Sequence, residues 1–185
     1  MALRKLPYKR LQHLIGKHLS TRENPATTKL TDELSVVRER GYLTKHELVK
    51  VCRWKSPRAL KQIQRNRAHS IKKITKAAFG TRSEQKRLSL LTTLHGVSVP
   101  MASSILTLTN PTHYGVIDIR VWQLLYEMGT VKTNPDGVGF DFKEWHRFLE
   151  IIRYFARKYK VRARDIERTL FNVHERYQKG ALYNN

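Results

Sequence analysis

The sequence predicts an all-α protein, and three observations carry that expectation. Helix-capping signals recur along the chain, apolar residues repeat at helical spacing, and no stretch shows a strand pattern of comparable strength. With 185 residues and 40% apolar content, there is material for one domain or for two small lobes sharing a core. The whole of 1–185 is read as a single globular unit, of one helical domain or two helical lobes, with 1–30 as its N-terminal basic segment.

Thr31 to Arg40 starts at an N-cap residue type and stops before Gly41, a favoured residue just past a helix end. Thr44-Lys45-His46-Glu47 is a capping box that opens a helix through about Trp54. Ser56-Pro57 places proline at a first helical position. Ala68 to Phe79 carries Ile71, Ile74 and Ala78 and stops at Gly80. Ser83 caps the next helix, with Leu88, Leu90, Leu91 and Leu94 as its stripe. A further helix runs from Pro100 to about Thr109, where Asn110-Pro111 breaks it. Asp118 to Met128 ends at Gly129, and 130–140 is a loop around Asn134-Pro135-Asp136-Gly137. Phe142 to about Tyr159 and Ala163 to about Gln178 close the chain; Trp145, Phe148, Ile151, Ile152 and Phe155 share one side of the former.

Charge is distributed unevenly. Lys and Arg number 36 against 15 Asp and Glu, a formal charge of +21. Such self-repulsion calls for a polyanionic partner. Between Glu47 and Glu84 no acid interrupts the run from Lys50 to Arg82. A solvated face mixes both signs, so this run reads as a phosphate-binding surface, with Lys72, Lys73 and Lys76 at its centre. From Leu88 to Ile117 there is no Asp, Glu, Lys or Arg. His95, Gly96, Pro100, Asn110 and Pro111 within that run argue against a membrane span. The lone Cys52 excludes an intrachain disulfide, a zinc ribbon and a four-cysteine cluster, and suits a reducing compartment. Met1 to Pro7 is too short in apolar residues for a signal peptide.

The joint inside the uncharged run is the informative one. Leu91 to Ser103 reads as helix, short glycine hairpin, helix. Gly96 permits a turn that a side chain would obstruct. Free N–H groups near Pro100 form a phosphate seat with the helix dipole. His95, Gly96, Ser98 and Val99 are thus candidates for holding the phosphates of a polyanion. A small-residue helix follows, then Tyr114-Gly115-Val116-Ile117-Asp118-Ile119-Arg120-Val121-Trp122.

The segment from residue 91 to residue 125 (88–129 with its flanks) resembles the helix-hairpin-helix and Gly/Pro-Asp motif of the DNA base-excision glycosylase superfamily. Leu94, Gly96, Val97 and Ala102 match its hairpin pattern, with Ser98 in place of the second glycine. Asp118 matches its aspartate in context and distance, and the Asp-x-x-x-Trp continuation is similar to the 8-oxoguanine branch. Residues 42–58, with Trp-Lys-Ser-Pro-Arg, resemble an uncharacterised prokaryotic branch. The resemblance implies a two-lobed fold and a pocket that receives a flipped base. It implies catalysis by Asp118, which activates water or stabilises an oxocarbenium-like sugar. Bifunctional members carry a lysine where this chain has Pro100, so the implied enzyme is monofunctional. It also implies a monovalent cation on the hairpin main chain; no side-chain metal cluster is read here.

Each candidate has a plainer role. Asp118 suits a helix N-cap. Trp122 and Trp145 suit core packing, although Trp122 is kept as a pocket candidate together with Trp54, Lys55 and Tyr114. The expected partner of this monomer is double-stranded DNA, in a cytoplasmic, nucleoid-associated setting. A non-catalytic DNA-binding or architectural module is the alternative, and RNA is a further one.

Overall fold

The computed structural model describes residues 3–180, and within them it contains α-helices and turns but no strand. The all-α expectation holds. Ten α-helices follow in order among these residues: α1 (Leu11–His18), α2 (Pro25–Arg40), α3 (Lys45–Lys55), α4 (Leu60–Gln64), α5 (Ala68–Gly80), α6 (Glu84–Thr92), α7 (Val99–Thr109), α8 (Ile119–Glu127), α9 (Phe142–Tyr159) and α10 (Ala163–Tyr177). A 3₁₀ turn over Pro57–Ala59 joins α3 to α4. No helix among the described residues is long and apolar enough to cross a membrane.

The local signals act as expected at most ends. Thr44 and Glu47 form the reciprocal capping box of α3, and Ser83 accepts the Lys86 amide at the start of α6. Gly41 closes α2 in the left-handed region, at φ 77°. Three elements differ. α2 starts at Pro25 rather than Thr31, because Asn24 caps it through the Ala26 amide and Pro25 takes the first helical position. Within 1–30 the chain also forms α1, whose Leu11, Leu14 and Ile15 share one buried stripe. Leu94, assigned to the stripe of α6, lies beyond its end in the hairpin turn, buried all the same.

One apolar cluster runs through the molecule, and α7 lies at its centre. Met101 to Thr109 are all buried, with α2, α3 and α6 packed around them. A helix enclosed on every side needs small residues where neighbours approach, and Ala102, Ser103 and Ser104 supply them. α10 packs on α8, α9 and α1 and completes the other side of the core.

A buried ion network ties α10 to the connection before α8. Arg164 pairs with Glu167 and, at 2.8 Å, with Glu23; Arg168 reaches Glu23 at 3.3 Å. Glu167 also accepts the Val116 amide at 3.3 Å. Burial pushes the Glu167 carboxyl up, while the Arg164 charge holds against that rise. Removing one member of such a network strands the other in a low dielectric. Arg164→Met should therefore cost about 3–5 kcal/mol in chemical denaturation, and Arg164→Met with Glu167→Gln should recover much of it. A loss no larger than that of a surface mutation would contradict the arrangement.

Candidate functional site

Three distant parts of the chain meet at one cavity of about 390 Å³. The end of α3 and the following turn contribute Lys55, Ser56, Arg58 and Ala59. The hairpin before α7 contributes Gly96, Ser98, Pro100 and Met101, and the start of α8 contributes Asp118, Ile119 and Arg120. The 137–140 loop and Phe171 of α10 complete the wall.

The hairpin is shaped by contacts that a single side chain would break. Gly96 turns at φ 77°, and a Cβ there would stand 2.9 Å from Gln62 Cβ and 3.1 Å from the Ile63 amide nitrogen. Buried Asn66 clamps the turn from the other side: its Nδ2 donates to the His95 carbonyl and its Oδ1 accepts the His95 amide, each at 2.9 Å. α7 then begins at Val99 with Ser98 as N-cap, and no side chain caps it. The first amides of a helix have no intrahelical acceptor, so this end presents N–H groups and the positive pole of the dipole beside the cavity.

Asp118 is held in place at its backbone and at its side chain. Ser103 Oγ donates to the Pro100 carbonyl at 2.8 Å and accepts the Ile117 amide at 3.2 Å, which anchors the residue before Asp118 to α7. Asp118 Oδ1 accepts the Val121 amide at 3.1 Å and so caps α8. Oδ2 lies 3.5 Å from Lys55 Nζ, and the two side chains are 19% and 20% exposed. The plainer role and the cavity-facing position thus coexist on one carboxylate.

Of the other residues singled out in the sequence, Lys55, Gly96 and Ser98 line the cavity with Asp118. Val99 opens α7 beside it, and His95 is exposed on the hairpin. Lys72, Lys73 and Lys76 are exposed on α5 and do not line it; Lys72 Nζ sits 4.6 Å from the centre of the Tyr42 ring. Three pocket assignments need correcting. Trp122 is 1% exposed, its Nε1 donating to the carbonyls of Thr133 and Asn134, because its face of α8 packs inward. Tyr114 is buried against Trp145 and donates to Glu84, which Arg87 and Arg153 also bind. Burial and the Glu84 charge push its phenol up to about 12. Trp54 donates to Thr27 Oγ1 at 3.0 Å under the Arg164 guanidinium, away from the cavity.

The sequence carried Arg58 only as one member of the Lys50–Arg82 basic run, and it did not single out Arg120, the 137–140 loop, Phe171 or the Asn66 clamp. Arg120, two residues after Asp118, and Arg58, inside the Trp-Lys-Ser-Pro-Arg stretch, stood next to residues already singled out. Phe171 and Asn66 act through long-range packing that no local pattern announces. Among the described residues no group of three His, Cys, Asp or Glu could hold a metal ion. No protein-family model matches the chain, and no curated protein or solved structure does either.

Behind the cavity wall, fully buried His174 donates from Nε2 to Gln123 Oε1 at 3.2 Å, and Gln123 donates to the Asp136 carbonyl at 3.1 Å. Burial, then the Arg120 charge, push the His174 pKa from 6.5 down to about 4. Between those values the unfolded chain binds the extra proton, so stability falls as pH drops through the window. The slope contributed by this group is at most about 1.4 kcal/mol per pH unit. His174→Gln should flatten the denaturation midpoint across that range relative to the wild type; parallel curves would refute the coupling.

Proposed function

We propose that this chain is a DNA base-excision enzyme of the helix-hairpin-helix glycosylase type, acting on a nucleotide turned out of the duplex into the cavity. One observation carries the reading: the Asp118 carboxylate faces the same cavity as the Gly96 hairpin and the open start of α7. A glycosidic bond needs negative charge near the anomeric carbon as the base departs, or a base to activate water. A carboxylate that lines the cavity suits either role. The hairpin amides and the Lys55, Arg58 and Arg120 cations suit the flanking phosphates. A target base inside a stacked duplex cannot reach a carboxylate in a recess, so extrusion belongs to the proposal.

Release by water rather than by an amine is part of the proposal because Pro100 occupies the hairpin position where the nucleophilic lysine of bifunctional glycosylases would stand. A monovalent cation on the hairpin main chain stays part of the proposal. The Leu94 and His95 carbonyls accept the Val97 amide and Asn66 Nδ2, and a carbonyl oxygen carries a second lone pair. The second reading, a non-catalytic DNA-binding module, is favoured by the engagement of Asp118 Oδ1 as a helix cap.

Duplexes each bearing one damaged or modified base, scored for free base, separate the two readings. On its substrate the protein should leave an intact abasic strand and no borohydride-trapped adduct formed at the rate of base release. Asp118→Asn, which keeps shape and cap, should lower the single-turnover rate by about 10²–10⁴-fold with binding retained. An unchanged rate returns Asp118 to capping alone, and rapid trapping would move the nucleophile to a lysine.

Binding itself should fall steeply with salt, the log–log slope steepening by roughly 0.9 for each phosphate neutralised. Replacing Lys72, Lys73 and Lys76 together should flatten it, as read by fluorescence anisotropy over a salt series. Affinity indifferent to salt would remove the phosphate-binding surface from the account.

A further inference from the structure

We propose that Val138 is an apolar finger that enters the base stack of a bound duplex at the mouth of the cavity; this rests on the DNA reading above. Among the described residues, the large apolar side chains that stand exposed are Val36, Val138 and Tyr154. Val138 is the one of these that lines the cavity, and it is 54% exposed there. An exposed valine alone means little. The way its backbone is held is what gives it meaning.

Gly137 and Gly139 flank it at φ 66° and 65°, a conformation that raises the tip between two left-handed residues. Asn134, itself left-handed at φ 54°, folds its side chain under the tip. Its Nδ2 donates to the Val138 carbonyl at 2.9 Å, and its Oδ1 accepts the Gly137 and Val138 amides at 3.1 and 3.3 Å. Below, Gly137 rests on the first residue of α8, where a Cβ would meet Ile119 Cα at 3.2 Å. Trp122, Gln123 and, through Gln123, His174 brace the loop from within. Phe140 anchors its far end edge-on to Trp122, with ring centres 5.5 Å apart. A loop fixed in this way loses little freedom when it docks.

The surroundings decide what it docks into. Lys55, Arg58 and Arg120 line the same cavity, so the apolar tip is displayed among cations. A partner that is anionic outside and apolar inside fits both features, and a stacked duplex is built that way. Inserted apolar side chains part base steps in other DNA-bound proteins. Here the tip would fill the space left when a nucleotide moves into the neighbouring cavity.

The test compares wild type, Val138→Ser and Val138→Leu on two duplexes by fluorescence anisotropy. One duplex is fully paired and the other holds a single tetrahydrofuran abasic analogue. Wild type and Val138→Leu should prefer the analogue, and Val138→Ser should lose about tenfold of that preference through lost apolar burial. Affinity for the paired duplex should stay within about twofold in all three, since phosphate contacts carry it. The side chain is exposed, so equal melting temperatures will confirm that all three fold. An undiminished preference in Val138→Ser, or equal weakening on both duplexes, overturns the finger while leaving the DNA reading in place. Failure of wild type to bind either duplex overturns both. Val138-dependent binding to phosphatidylglycerol vesicles instead of DNA would assign the tip to a lipid surface and overturn the proposal.

Discussion

The enclosure of α7 is the constraint on which the site depends. A helix buried along its length has no solvent to satisfy polar groups or to absorb a bad contact. The connection that leads into α8 must therefore lie against it through matched small groups. Ser103 supplies a hydroxyl to the Ile117 amide, and Gly115 leaves room where a Cβ would stand 2.7 Å from Glu167 Cβ. Glu167, fixed by Arg164, takes the Val116 amide. Three neighbouring residues thus have their places determined before Asp118 is reached, and the carboxylate inherits a position it could not hold from a free loop.

The same helix positions the hairpin. Its first turn emerges from the core beside the cavity, and the turn before it is clamped by Asn66 and pressed on Gln62 and Ile63 across Gly96. Residues on α4 and just after it therefore set the geometry of a motif some thirty positions later. That dependence runs through packing, so a substitution at Asn66 acts on the hairpin without touching any ligand.

Much of the fold was legible because its signals are local. Capping boxes, glycine stops and the stripes of α3, α6 and α9 can be read from neighbours within one or two turns. The start of α2 was misplaced because Asn24-Pro25 is as good a loop signal as a helix start, and only burial of Thr27 and Leu34 decides between them. Of the residues singled out in the sequence, Asp118, Lys55, Gly96 and Ser98 line one cavity. The aromatic candidates failed for a shared reason: Trp54, Tyr114 and Trp122 each pair a large apolar ring with a polar atom that finds its partner inside the protein. From sequence, a ring beside charges, as at Trp54, or close to Asp118, as at Tyr114 and Trp122, looks like a pocket wall whether it faces in or out.

The pairing at Asp118 shows why capping a helix and presenting a charge to the cavity need not compete. A carboxylate has two oxygens, and the helix claims one. Oδ1 on the Val121 amide fixes the side-chain rotamer, which leaves Oδ2 directed toward Lys55 and the cavity. Without the cap the carboxylate would lose rotamer definition; without Lys55 its free oxygen would face a recess with less positive charge. A cap on one oxygen is thus the means by which the other is aimed. The Gly115–Ile117 anchorage and the braced 137–140 loop then hold the walls on either side of it, so that the charge facing the cavity is already in place before anything enters.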